Sequence, residues 1–359
     1  MPCNNELKRC NRLVDQSNQI CAQQTLEHLM SRLSFFLLGI ILSTLMTGCN
    51  DHTTNQPSET TLTIAEGWPK TIVSRYGKVT LNAPPQRIVS TSVSITGTLL
   101  TIDAPLIASG GSRPNTHVAD QNGFFYQWNQ VAYARGVKPL YQGVANAEAV
   151  AKQKPDLIIV SATGGDSALK LYRQFSTIAP TLVINYDDKS WQTLARLLAS
   201  ITDREKQAES AITKFDTKLT ALRARISLPP QPVSALVYYG DNRGGNFWTN
   251  DSAQGQILNA LGFTLSPLPD ALKNNHQMGQ RQDIVPVNGE NFADAITGRS
   301  VLLFAADESL IKQVKHNKFI AHLPAISQGN VFAMGNDSFR LDYYSAMNLL
   351  VTLDETFSQ

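Results

Sequence analysis

Apolar positions along residues 191–226 recur at helical spacing. Trp191, Leu194, Leu198 and Ile201 step by three and four, and Ala208, Ile212, Phe215, Leu219, Leu222 and Ile226 carry the stripe on. Between the two sets, Thr202-Asp-Arg-Glu205 has the spacing of a capping box, in which hydroxyl and carboxylate satisfy the free amides of a helix start. The pattern predicts a helix from about Asp203 to Ile226, about 36 Å long at 1.5 Å per residue. One stripe of this length packs on its own domains more readily than in a coiled-coil dimer, so a monomer is expected.

On both sides of that segment, short apolar runs alternate with helical patches. Arg87-Ile-Val-Ser-Thr91, Leu157-Ile-Ile-Val160 and Leu182-Val-Ile184 read as strands, with helices over 147–153 and near 167–175. After Pro229-Pro230 the same alternation returns: strands at Ala235-Leu-Val-Tyr238, Val301-Leu-Leu-Phe304 and Val331-Phe-Ala-Met334, helices over 254–261 and 342–356. Strands separated by helices argue parallel pairing. The expected fold is therefore α/β: two lobes with mostly parallel sheets, 68–186 and 229–359, joined by a long rigid helix within 187–228.

The first 67 residues differ in character. Leu33-Ser-Phe-Phe-Leu-Leu-Gly-Ile-Ile-Leu-Ser-Thr-Leu-Met46 follows Arg32 and precedes Thr47-Gly48-Cys49, the order of an export signal. It is shorter than the roughly 20 apolar residues of a membrane span. Leu45-Met-Thr-Gly-Cys49 resembles the bacterial lipobox, with Met46 where Leu is more usual; Cys49 is then the lipidated first residue of the mature chain. Glu6, Asp15 and Glu27 are out of place ahead of such a signal, so Met30 is a natural start and 1–29 an extension. Residues 49–67 read as a tether from lipid to domain. Asn50 after the Cys leaves either bacterial membrane open as the anchor.

Composition sharpens this picture. All four cysteines, Cys3, Cys10, Cys21 and Cys49, lie early, so the body of the chain has neither disulfide nor thiolate metal site. With 42% hydrophobic residues, 17% charged residues and a net charge of +2, the chain reads as globular and not as a nucleic-acid binder. Nucleotide-loop, nucleophile-elbow and His-Glu-x-x-His patterns are absent, and six scattered histidines show no metal-ligand spacing. Gly164-Gly-Asp-Ser167 reads as a tight turn, or less readily as a phosphate seat. Asp187-Asp188 reads as the N-cap of the helix at Trp191.

Two lobes, a connecting helix, an exported lipobox and Pro85-Gln-Arg-Ile-Val-Ser90 resemble the periplasmic binding proteins of siderophore and cobalamin importers. Within that family, Ile88-Val-Ser-Thr-Ser-Val-Ser94, Ser161-Ala-Thr-Gly-Gly-Asp-Ser-Ala168, Ile184-Asn-Tyr-Asp-Asp-Lys-Ser-Trp191, Ser252-Ala-Gln-Gly-Gln256 and Ser338-Phe-Arg-Leu-Asp-Tyr-Tyr-Ser-Ala346 are similar to the branch that carries ferric enterobactin. The resemblance runs from about Trp68 to the end; the lipobox departs from the enteric members, which are soluble. It implies a class III periplasmic-binding-protein-like fold, a ferric catecholate siderophore as ligand, an inner-membrane ABC permease as partner, and no enzyme activity. No cofactor is implied, because the ligand carries its own Fe3+.

A trianionic, flat-faced iron complex needs cations and aromatic faces. The resemblance and loop positions together make Arg340, Trp248, Arg113, His117 and Phe339 the candidate ligand residues. His117 stands where the enteric proteins carry Arg, and Arg113, four residues earlier, is the substitute cation. Phe124, Phe125, Tyr126 and Trp128 read first as core. Glu148 and Glu290 open the helices before strands 157–160 and 301–304, one per lobe, and match the family's permease-docking glutamates. The runner-up readings are the same receptor carrying a hydroxamate siderophore, haem or cobalamin, an exported hydrolase using Ser167, and a scaffold lipoprotein.

Overall fold

The computed structural model describes residues 62–240, 243–273 and 283–358, all within one unit of the chain. The start extension, the apolar run 33–46, Cys49 and the tether up to residue 61 lie outside the described residues.

The chain enters through a small antiparallel sheet, β1 (Thr63–Ile64), β2 (Lys70–Ser74) and β3 (Gly77–Leu81). A five-stranded parallel sheet follows, made of β4 (Ile88–Ser90), β5 (Leu106–Gly111), β6 (Lys138–Gln142), β7 (Leu157–Ser161) and β8 (Thr181–Ile184). Its order is β6-β5-β4-β7-β8. β4, β7 and β8 are buried along their whole length, as expected of continuous apolar runs covered on both faces.

The second lobe has β9 (Val233–Tyr238), β10 (Gly245–Trp248), β11 (Ile284–Val287), β12 (Ser300–Phe304) and β13 (Val331–Ala333), ordered β11-β10-β9-β12-β13. The three strands expected here, β9, β12 and β13, pair in parallel, and the sheet is mixed because of one added strand, β10. β12 is parallel to β9 and β13, whereas β10 is antiparallel to both β9 and β11. The short connection from Tyr238 to Gly245 admits a hairpin but not a helical crossover.

The connecting segment carries the long helix within its expected bounds of 203–226, a little shorter at each end, after a first helix that starts at Trp191. Trp191–Thr202 and Glu205–Arg223 are separate helices, the second about 28 Å long at 1.5 Å per residue. Asp203 sits in the left-handed region at φ 62° and ends the first helix. The capping box is not formed, because the buried Thr202 hydroxyl donates to the Leu198 carbonyl within its own helix. Ser190, not Asp187 or Asp188, caps the Trp191 helix by accepting from the Thr193 amide. The apolar stripe is spent inside the chain: Trp191 meets Phe215 edge-on at 5.3 Å, and Tyr343 at 5.6 Å.

One hydrophobic cluster runs from the inner face of the first sheet (Ile88, Leu157, Leu182) through the connecting helices to the second (Val237, Leu302, Phe304). The lobes therefore share a core, and the outer face of each sheet has its own cluster.

Candidate functional site

Each sheet has a point where the strand order turns back, and ligands of open α/β sheets settle at the carboxyl ends of the strands beside it. In the first lobe that point lies between β4 and β7, so Ser94 and Thr163–Gly165 follow it. In the second it lies between β9 and β12, followed by Tyr239–Gly240 and Ala305–Asp307. These segments face an interlobe cleft made of two cavities, about 700 and about 1070 Å³, which share Phe125, Gln127, Phe339 and Arg340 as lining residues.

Arg340 lies on the loop between β13 and the helix Tyr343–Phe357. That loop is held from several sides. Gln254 Nε2 donates to the carbonyls of Ser338 and Phe339 at 3.0 and 2.7 Å, Ala305 N donates to Ser338 Oγ at 2.9 Å, and Ser345 Oγ donates to the Arg340 carbonyl at 3.0 Å. The guanidinium reaches across to the first lobe. Its Nη1 donates to Ser94 Oγ at 2.9 Å and lies 3.6 Å from Asp166 Oδ1, and its carbon stands 5.0 Å from the Tyr186 ring centroid. Burial pushes its pKa below the ordinary arginine value, against the pull of Asp166, and the group stays charged. Asp342, two residues on, is occupied in capping the next helix.

Phe339 packs on Trp248 with ring centroids 5.5 Å apart. Trp248 is 7% exposed, lines the larger cavity, and its indole N–H has no hydrogen-bond partner among the described residues. His117 is exposed and lines the smaller cavity; Arg113 is exposed and lines neither. Of the aromatic cluster, Phe124 and Trp128 are core, Tyr126 is half exposed, and Phe125 enters the cleft. Asp120 shapes this loop: burial pushes its carboxyl up, but hydrogen bonds from Tyr133, Asn129 and the amides of Asn122 and Phe124 hold it below the usual range.

The larger cavity carries Asp187, Asp188, Asp251, Asp283 and Asp342 against Lys189 and Arg340. The smaller carries Asp307 and Asp337 against Arg340. Carboxylates outnumber cations in both cavities, so an anion is accommodated best at the shared wall, beside Arg340. Sequence reasoning assigned no ligand role to Ser94, Asp166, Tyr186 or Gln254; the strand order that brings Ser94 beside Asp166 is a property of topology.

Glu148 and Glu290 are both exposed. Each stands two residues after an asparagine that caps its turn: Asn146 accepts from the Ala149 amide and Asn288 from the Asn291 amide. Glu148 opens the helix Ala147–Lys152, whereas Glu290 lies in a 3-10 turn, Gly289–Asn291, ahead of the short helix Phe292–Ala295. Ser167, the nucleophile of the hydrolase reading, donates its hydroxyl to the Ser161 carbonyl at 2.7 Å.

The chain is 53% identical over 293 residues to the ferric enterobactin-binding periplasmic protein FepB of Escherichia coli O6:H1, covering 82% of this chain and 92% of that protein. It is 25% identical to the probable siderophore-binding lipoprotein YfiY of Bacillus subtilis, covering 65% and 67%. The crystal structure of holo-ViuP superposes with a TM-score of 0.74 at 31% identity, covering 82% of this chain and 96% of that one. Residues 88–338 match the family described as Periplasmic binding protein, and the chain belongs to that family.

Proposed function

We propose that this protein captures ferric enterobactin or a closely related ferric catecholate in the interlobe cleft and delivers it to an ATP-driven permease of the inner membrane. It is a binding protein and not an enzyme, as its relatives are. The observation that carries the ligand is Arg340. Its guanidinium forms the wall common to both cavities, stands over one aromatic ring and beside another, and has a single side-chain hydrogen bond among the described residues. Those are the features a catecholate face and its charge require.

In this reading Phe339, Trp248 and Phe125 supply apolar faces, and His117 adds an imidazole hydrogen-bonding group at the rim of the smaller cavity. Arg113 steers at longer range from outside the cleft. The siderophore fills the coordination shell of its iron, so the protein supplies no metal ligand. Glu148 and Glu290, one per lobe on matching turns, give the permease two separated charges that fix orientation. Cys49 holds the chain to a membrane through lipid, and the protein acts in the periplasm as a monomer.

Tryptophan-fluorescence titration of the purified protein with ferric enterobactin, ferrichrome and haem tests the ligand. Saturable quenching by ferric enterobactin, lost in Arg340→Ala, is the expected result. The carboxylates of the larger cavity favour a second reading, a less anionic iron chelate; saturation by ferrichrome or haem instead would establish it.

A further inference from the structure

The Arg340–Asp166 pair spans the cleft, and its two halves are built differently. Asp166 is fixed to the first lobe. Its Oδ2 accepts from Ser92 Oγ at 2.5 Å and from the Ser94 amide at 2.9 Å, and its Oδ1 accepts from the Tyr186 hydroxyl at 3.1 Å. Ser92 is the N-cap residue of the helix Val93–Thr101, so the carboxylate also sits in the positive field of that helix start. Three donors and a helix dipole hold this anion without Arg340.

Arg340 is held more loosely. The 3.6 Å separation from Asp166 Oδ1 is a charge contact without a hydrogen bond. Its side chain keeps 34% exposure, against 14% for Asp166. Gly164 makes room for the arrangement: a Cβ there would stand 1.9 Å from the Tyr186 hydroxyl oxygen and 3.0 Å from Arg340 Nη1, and its φ of +84° suits glycine. The glycine turn that reads in sequence as a phosphate seat thus lets a cation and a phenol lie against the backbone.

An anionic ligand oxygen that reaches Arg340 must share the guanidinium with a carboxylate that cannot move aside. We propose that Asp166 is a built-in competitor anion: it neutralises Arg340 in the empty cleft, opposes the bound catecholate, and retakes Arg340 as the ligand leaves. The inference rests on the proposed ligand class. Affinity is given up in exchange for release, which suits a protein that must surrender its cargo to a permease.

The test is stopped-flow and equilibrium quenching of the full-length protein by ferric enterobactin, in wild type and in Asp166→Asn. Asn keeps the size of the side chain and an acceptor oxygen for Ser92 and Ser94 but removes the charge. The expected result is binding about tenfold tighter, because two unit charges about 4 Å apart interact by well over a tenfold factor at the effective dielectric of about 20 found near a protein surface, and by about fivefold in bulk water. The gain should come from slower dissociation, with the association rate little changed. Asp166→Ser, equally uncharged, is the second variant if Asp166→Asn melts early. Unchanged or weaker binding in a folded variant would overturn the inference and make Asp166 a positioning residue for Arg340. Absence of binding by the wild type would instead remove the ligand assignment, and this inference with it.

Discussion

The Asp342 carboxylate of the second lobe lies directly against Gly97 of the first, so close that a Cβ on Gly97 would stand 2.1 Å from Asp342 Oδ2 and 2.9 Å from Trp128 Cδ1. Gly97 is in the middle of the helix Val93–Thr101, where replacing glycine by alanine ordinarily stabilises by about 0.5–1 kcal/mol. The clash outweighs that gain, because both neighbours are buried and Asp342 is pinned by its cap. Gly97→Ala should therefore lower stability by about 1–3 kcal/mol. Urea denaturation measures it; a stabilised variant would mean that the lobes separate freely at this contact.

Asp342 also gives the fold a pH dependence of known sign. Burial pushes its carboxyl up to about 6, while hydrogen bonds from the Ser345 and Tyr344 backbone pull the other way. A free aspartate titrates near 3.9. Between about pH 4 and pH 6 the folded state holds a proton that the unfolded chain has lost, so stability falls as pH rises through that window. The size is on the order of 2–3 kcal/mol for a shift of about two units. Asp337, raised by its own burial, adds to the same slope. The difference in unfolding free energy between wild type and Asp342→Asn, followed from pH 4 to pH 7, isolates the Asp342 part; parallel curves would refute it.

Much of this architecture was legible in the chain, for identifiable reasons. Buried parallel strands such as Leu157–Ser161 announce themselves as unbroken apolar runs. The helix Val93–Thr101 gave no such signal: Val, Ile and Thr dominate it, residues that favour strands, and only tertiary burial makes it helical. The capping box at Thr202 had the right spacing, but burial of the hydroxyl against Leu198 decided its partner. In the cleft, Arg340 and Phe339 stood out by chemistry and loop position. Asp166 and Tyr186 did not, because Asp166 meets Ser92 and Ser94 only where the ends of β7 and β4 lie side by side, and Tyr186 meets Asp166 only because β8 runs beside β7, and no local pattern encodes either neighbour.

Gln254 is the support on which the Arg340 loop rests. It is buried, and its amide donates to two successive carbonyls, those of Ser338 and Phe339. Gln254→Ala leaves both carbonyls without that donor and should cost about 1–3 kcal/mol of stability. It should also weaken ferric enterobactin binding although Gln254 carries no charge, since Phe339 and Arg340 lose their common anchor. Denaturation and quenching titrations on the same preparation read both effects; full affinity in a destabilised variant would show that the loop keeps its shape unaided.

The connecting helices are tied at both ends, which limits how far the lobes can move. Toward the first lobe, Lys70 Nζ donates to the Ser200 carbonyl and Arg204 Nε to the Asp103 carbonyl at 3.0 Å. Toward the second, Arg223 Nη1 donates to the Ala260 carbonyl and Arg225 Nε to Asp354 at 3.0 Å. Exposed ion pairs such as Arg225–Asp354 contribute little alone, so the stiffness comes chiefly from the shared hydrophobic cluster beneath them. A hinge of this kind would have to break close-packed contacts between Trp191, Phe215 and Tyr343 in order to swing widely. Ligand binding should therefore bring only a small closure, local to the cleft loops. Small-angle scattering with and without saturating ferric enterobactin should give radii of gyration equal within error. A contraction of several ångströms would show that the two helices act as a flexible joint despite these ties.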